Sequence, residues 1–219
     1  MDKEKDPREI ETTPDFFKEV ISAINKQYAE LTITEVEGKC PYGHKEGEKF
    51  RISAMNSDGL CGSLYAAIEP SVFTLDYGGN YPWEHKTKYF KYACPEMGKV
   101  KVEVRHKEKE DIRVLKTKKP AVDMTGKGYA GIDKYRIFVE ILGIERHCTW
   151  GHRVGHKFEI DPFNVGNVCG CLYWSAYRFM NVLFEGASLP WEAEENIIHG
   201  MCPDIHNQVI YRLIREERK

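Results

Sequence analysis

Two stretches of this chain are the same stretch. Cys40-Pro-Tyr-Gly43-His44-Lys-Glu-Gly47-Glu-Lys49-Phe50 recurs as Cys148-Thr-Trp-Gly151-His152-Arg-Val-Gly155-His-Lys157-Phe158. A constant offset of 108 carries the match onward, taking Cys61-Gly62 to Cys169-Gly170, Leu64-Tyr65 to Leu172-Tyr173, Pro82-Trp83-Glu84 to Pro190-Trp191-Glu192 and Cys94-Pro95 to Cys202-Pro203. Self-similarity at a fixed offset marks a supersecondary unit present twice, and any fold for the chain must accommodate both copies. What the copies share is three cysteines, one histidine, turn-type glycines and a Pro-Trp-Glu.

The 219 residues divide accordingly into an N-terminal tail and helix (1–28), a first repeat (29–106), a linker (107–135) and a second repeat (136–219). In the first segment, Thr13-Pro14-Asp15 is a helix start, with a capping hydroxyl, a proline at the first helical position and an early carboxylate. Phe17, Val20, Ile21, Ile24 and Tyr28 then recur at helical spacing, predicting an amphipathic helix over 14–28. Within the first repeat, Leu31 and Ile33 alternate with Thr32 and Thr34 as a strand. The glycine-rich Cys40–Gly47 segment is a turn, and Phe50-Arg-Ile52 returns as a second strand. Leu64, Tyr65, Ile68, Val72 and Leu75 share one helical face, and Leu172, Tyr173, Ala176, Met180 and Leu183 repeat it. Pro70 should kink or split the first of these helices, since it lacks an N–H and crowds the preceding turn. Val100-Lys-Val102-Glu-Val104 closes the repeat as a strand. The expected fold is α+β, with two tandem ββαβ repeats related by pseudo-twofold symmetry plus the N-terminal helix.

Composition narrows the setting. Lys+Arg 32 against Asp+Glu 34 gives a net charge of −2, so no bulk positive field draws nucleic acid or anionic lipid. The N-terminus is charged and no stretch approaches the roughly 18 apolar residues of a membrane span. A cytoplasmic protein is expected, with a protein or small molecule as partner and neither nucleic acid nor membrane. Seven cysteines in a reducing compartment do not suggest a disulfide framework. Each repeat has three, and the seventh, Cys171, stands where the first copy has Ser63. Having no counterpart, it reads as incidental.

A hairpin tip, a helix start and a loop before a strand can meet at one rim of a small module. Cys40, His44, Cys61 and Cys94 therefore form one donor set, and Cys148, His152, Cys169 and Cys202 a second. Three thiolates and an imidazole suit tetrahedral zinc, and the same donors suit an iron–sulfur cluster. The spacing, Cys-x3-His followed by isolated cysteines, is itself a weak signal, so duplication in register carries the argument. A second class of function is thiol chemistry, in which His44 activates a helix-start Cys61, or His152 activates Cys169, as a nucleophile or redox centre. In a third, the thiols are buried structural residues of a small binding protein. Glu84 and Glu192 are weaker acid–base candidates, while Trp83 and Trp191 read as core aromatics.

The order C-x-x-G-H-x-x-G-x-x-F, a Cys-Gly helix start, then Pro-Trp and Cys-Pro-Asp/Glu resembles a family of small, uncharacterised bacterial and archaeal Cys/His proteins, usually single copies of about this repeat length. The likeness covers roughly 30–104 and 138–212. The family pattern has an acidic residue after the second glycine, which Glu48 matches and His156 does not. That departure makes the second site the more divergent and offers His156 as a further donor. The resemblance implies a recurring Cys/His module and brings no activity or cofactor with it.

Overall fold

The computed structural model describes residues 27–76, 89–108, 120–148, 150–204 and 208–219. In chain order the elements are β1 (Gln27–Val36), β2 (Lys49–Ile52), α1 (Gly62–Asp76), β3 (Tyr89–Ala93) and β4 (Val100–Glu108). There follow α2 (Ala130–Lys134), β5 (Tyr135–Ile144), β6 (Lys157–Ile160), α3 (Gly170–Phe184), β7 (Ile197–Met201) and β8 (Val209–Glu217). They build two four-stranded antiparallel sheets, ordered β2-β1-β4-β3 and β6-β5-β8-β7. The protein is therefore α+β. The elements of the second half, from β5 to β7, begin 108 residues after their counterparts, and β8 begins 109 after β4.

Alternation decides which face of each sheet is covered. Ala29, Leu31 and Ile33 in β1 and Ile137, Val139 and Ile141 in β5 are buried, as are Val102 and Val104 in β4 and Tyr211 and Leu213 in β8. Against these faces lie α1, which buries Leu64, Tyr65, Ile68, Val72 and Leu75, and α3, which buries Leu172, Tyr173, Ala176, Met180 and Leu183. These are the two faces that periodicity predicts. Each large apolar side chain contributes about 1.5–3 kcal/mol on burial. A break in register between Ile33 and Glu35 in β1, and between Ile141 and Gly143 in β5, twists each strand just before its Cys-x-x-Gly-His turn.

Three expectations need correction. Each half is ββαββ rather than ββαβ, because Tyr89–Ala93 and Ile197–Met201 add edge strands to β4 and β8. In β7, Gly200 admits the Tyr211 ring, which a Cβ there would meet at 2.5 Å. Strand β1 starts at Gln27 rather than Leu31, so Tyr28 belongs to a sheet, while the rest of the 14–28 helix lies outside the described residues. Strand β4 runs to Glu108, and α2 leads directly into β5 at Tyr135. Pro70 does not split its helix: α1 and α3 are each continuous over 15 residues, and Thr74 Oγ1 donates to the Pro70 carbonyl at 2.9 Å.

The two halves meet at the helix starts. Gly62 N–H donates to the Phe163 carbonyl at 2.6 Å, and Gly170 N–H donates to the Met55 carbonyl at 2.9 Å. A Cβ on Gly62 would overlap the Tyr173 hydroxyl, and one on Gly170 would overlap that of Tyr65. The Tyr65 hydroxyl donates to the Ser53 carbonyl at 2.8 Å, and the Tyr173 hydroxyl to the Asp161 carbonyl at 2.8 Å.

Candidate metal centre

The turn after β1 is fixed by backbone geometry. Gly43 N–H closes onto the Cys40 carbonyl at 3.0 Å, and Gly151 N–H onto that of Cys148 at 2.9 Å. Gly43 (φ +99°), Gly47 (+84°), Gly151 (+90°) and Gly155 (+83°) occupy the left-handed region, which explains why the copies share glycine there. Each turn is tied to the loop before its helix. The Tyr42 hydroxyl donates to the Gly59 carbonyl at 3.3 Å, and Trp150 Nε1 donates to the Asn167 carbonyl at 3.4 Å. The aromatic differs between repeats, but the tether is kept.

Both repeated histidines are buried and hold the helix start. His44 Nε2 accepts the backbone N–H of Cys61 at 3.3 Å, and His152 Nε2 accepts that of Cys169 at 3.3 Å. An accepting Nε2 carries no proton, so the neutral His44 ring carries its hydrogen on Nδ1, which faces Glu48 Oε2 at 3.3 Å. Glu48 also accepts the Lys45 N–H at 3.2 Å. In the second repeat His156 Nδ1 accepts the Arg153 N–H at 3.3 Å, so the imidazole replaces the carboxylate as the cap of this turn.

Cys61, Cys94, Cys169 and Cys202 are buried, and Cys40 and Cys148 are partly buried. Burial pushes the Cys61 thiol up to about 12. The N–H groups of Leu64 and Ser63 at the start of α1 oppose this, while Cys94 and Cys40 nearby add to it. Cys94 is raised chiefly by burial and lowered by the Glu96 N–H. The second repeat follows suit. Burial and then Cys202 raise Cys169, against the N–H groups of Leu172 and Cys171, and burial pushes Cys202 up to about 12 against the Asp204 N–H. Backbone donors aimed at sulfur favour its anion, so each site combines a dry setting with donors that stabilise thiolate.

In the first repeat, Cys40, His44, Cys61 and Cys94 line one cavity of about 20 Å³ with Tyr42, Glu96 and Phe163. That is room for about one water or one small ion. Phe163 belongs to the second half, so the wall of the first site is built partly by the other repeat. Among the described residues, no three His, Cys, Asp or Glu side chains form a group already arranged to hold a metal ion.

Several features of the surroundings were not visible in the sequence. Phe163 and Glu69 approach from the other half, and nothing in local spacing signals this. Glu192 accepts the His199 N–H at 2.8 Å and pairs with His199 Nδ1 at 2.8 Å. Trp191 is 70% exposed rather than part of a core. Trp83 and Glu84 lie outside the described residues. No helix among the described residues is long and apolar enough to cross a membrane. No family model, no curated protein and no solved structure matches the chain.

Proposed function

We propose that each repeat holds a metal centre through its three shared thiols: Cys40, Cys61 and Cys94 in the first, Cys148, Cys169 and Cys202 in the second. The two repeats are packed about a pseudo-twofold axis in this reading, each contributing to the wall of the other's site. The observation that carries it is the first-repeat cavity, where three thiols from three separate elements converge and backbone N–H groups are aimed at Cys61 and Cys94. Binding draws these sulfurs inward and displaces their protons, which offsets the cost of burying thiolate. A cavity of about 20 Å³ favours a single ion over an iron–sulfur cluster, and thiolate donors make zinc the first choice.

In this assignment His44 and His152 position Cys61 and Cys169 through their backbone N–H groups rather than filling the fourth coordination place. An imidazole that uses its Nε2 lone pair on an N–H has to release it before it can ligate. The same hydrogen bond counts against a Cys–His nucleophile, because the ring meets the cysteine backbone, and a thiol pushed up to about 12 stays protonated at neutral pH. The proposed place in the cell is the cytoplasm, and the proposed partner is a protein or small molecule. The motif likeness sets the chain beside the uncharacterised Cys/His family as its duplicated form.

Elemental analysis with a UV–visible spectrum, on protein purified without oxygen, tests the reading. About two zinc per chain and no visible colour are expected. Brown protein with iron and sulfide would keep the thiol sites and replace the ion by a cluster. Protein that carries no metal and takes up none after reduction and exposure to zinc or iron would overturn the proposal.

A further inference from the structure

The first site has a neighbour from outside the duplicated match. The strap formed by residues 122–129 is anchored on the second half. The Asn164 side chain holds the Val122 backbone twice, its Oδ1 accepting the N–H at 2.8 Å and its Nδ2 donating to the carbonyl at 2.9 Å. Met124 is buried in the core. The rings of Tyr129 and Phe163 have centroids 4.5 Å apart, and Phe163 is the second-half residue that lines the first-site cavity. Gly126 (φ +68°) and Gly128 (φ +94°) take the left-handed conformation that glycine allows, and the Gly126 N–H donates to Asp133 Oδ1 at 2.6 Å. Lys127 sits between these glycines at the tip of the turn. Its Nζ donates to the Pro41 carbonyl at 3.0 Å and lies 3.6 Å from Met124 Sδ. Pro41 is itself on the cavity wall, next in sequence to Cys40. An offset of 108 takes Gly126-Lys127-Gly128 back to Lys18-Glu19-Val20, so neither the glycines nor the ammonium at the tip is duplicated.

We propose that this strap belongs to the first metal centre, with Lys127 as a positioning residue that fixes the Cys40 turn and supplies the charge that the bound ion leaves uncompensated. This inference rests on the metal reading above. A divalent ion held by the thiolates of Cys40, Cys61 and Cys94 leaves one negative charge in excess, and an unpaired charge in a dry site is costly. Glu96 and Lys99, the acid and the base on the cavity wall, cancel one another. The ammonium of Lys127, held on the residue next to Cys40, is the counter-charge. It reaches the site on a segment anchored by Asn164 of the second half, so retention of the first ion depends on both halves and on the strap between them. The same offset gives the second site no matching lysine, and its ion does not depend on this contact.

Cobalt(II) alone, loaded to saturation on the reduced full-length protein without oxygen, provides the test, since thiolate-to-cobalt absorption follows each ion as excess EDTA removes it. Lys127 is exposed, so K127M should fold and keep the urea midpoint of the metal-free protein. It should lose one ion about three- to tenfold faster than the wild type, a modest effect because the contact is open to water, and the other ion at the wild-type rate. K127R keeps the charge and should keep the wild-type rates. The K127M effect should persist in a C148S background and vanish in a C40S background, which assigns it to the first site. Release unchanged by K127M, release of both ions quickened by it, or equal quickening by K127R would overturn the role of Lys127, and the bound cobalt would leave the metal reading standing. No cobalt uptake by the wild type would overturn both.

Discussion

Gly170 donates its backbone N–H to the carbonyl of Met55 at 2.9 Å, so the first turn of one repeat's helix is capped by a loop of the other. The contact is close because Gly170 has no side chain. A Cβ there would overlap the Tyr65 hydroxyl and come within 2.5 Å of the Ala54 carbonyl. Gly170→Ala should therefore destabilise the protein by about 1–3 kcal/mol, as overpacking does, and Gly62→Ala should act similarly through Tyr173. Urea denaturation measures it, and wild-type stability in both variants would show that the helix starts do not pack as described.

The role given to His44 separates stability from metal content. Removing its ring leaves the buried Cys61 N–H without an acceptor, at a cost of about 1–3 kcal/mol. His44→Gln should lower the denaturation midpoint, while cobalt uptake and thiolate absorption persist. Loss of one ion per chain from the folded variant would make His44 a ligand after all.

Burial predicts an order of alkylation. In the metal-free protein, iodoacetamide should modify the partly buried Cys40 and Cys148 before Cys61, Cys94, Cys169 and Cys202, which are buried. Peptide mass spectrometry after short exposures gives the order. Early labelling of Cys61 or Cys169 would instead revive the activated-thiol reading.

Glu69 should leave a signature in the pH dependence of the metal-free protein. Burial, with Asp76 nearby, pushes its carboxyl up to about 8 from an ordinary value of 4.5. Between these values the folded state holds a proton that the unfolded chain has lost, so stability falls as pH rises through this window and levels off above it. The slope contributed approaches about 1.4 kcal/mol per pH unit. Glu69→Gln should flatten the curve from pH 5 to 8, as followed by urea midpoints. A variant whose curve parallels the wild type would mean that Glu69 titrates normally.

Much of the site was legible in the sequence because its signals are local. A Cys-x-x-Gly-His turn, a Cys-Gly helix start and the apolar stripe behind it announce themselves by glycine placement and period. The added strands were harder to see. Tyr89–Ala93 is five residues long and runs into Cys94-Pro95, and Ile197–Met201 does not alternate, since its glycine serves a tyrosine from the neighbouring strand. The histidines show a different limit: residue type and spacing do not say which way an imidazole nitrogen points, and here it points at a backbone N–H. Cys171 reads as incidental in the sequence because its hydrogen-bond partner, the Ala54 carbonyl, lies 117 residues earlier, and only the packing of the two halves brings them together.

The exchange of backbone hydrogen bonds at Gly62 and Gly170 also bears on why one chain carries both halves. A half on its own would need a second chain to cap its helix and finish the wall of its cavity, and that encounter would depend on concentration. Fusing the copies makes the encounter intramolecular. It also frees the two halves from having to be identical, so a residue on one side can change without the same change being forced on the other. Ser63 and Tyr177 on one side of this seam, with Cys171 and Glu69 at the matching places on the other, are a combination that a symmetric homodimer could not carry.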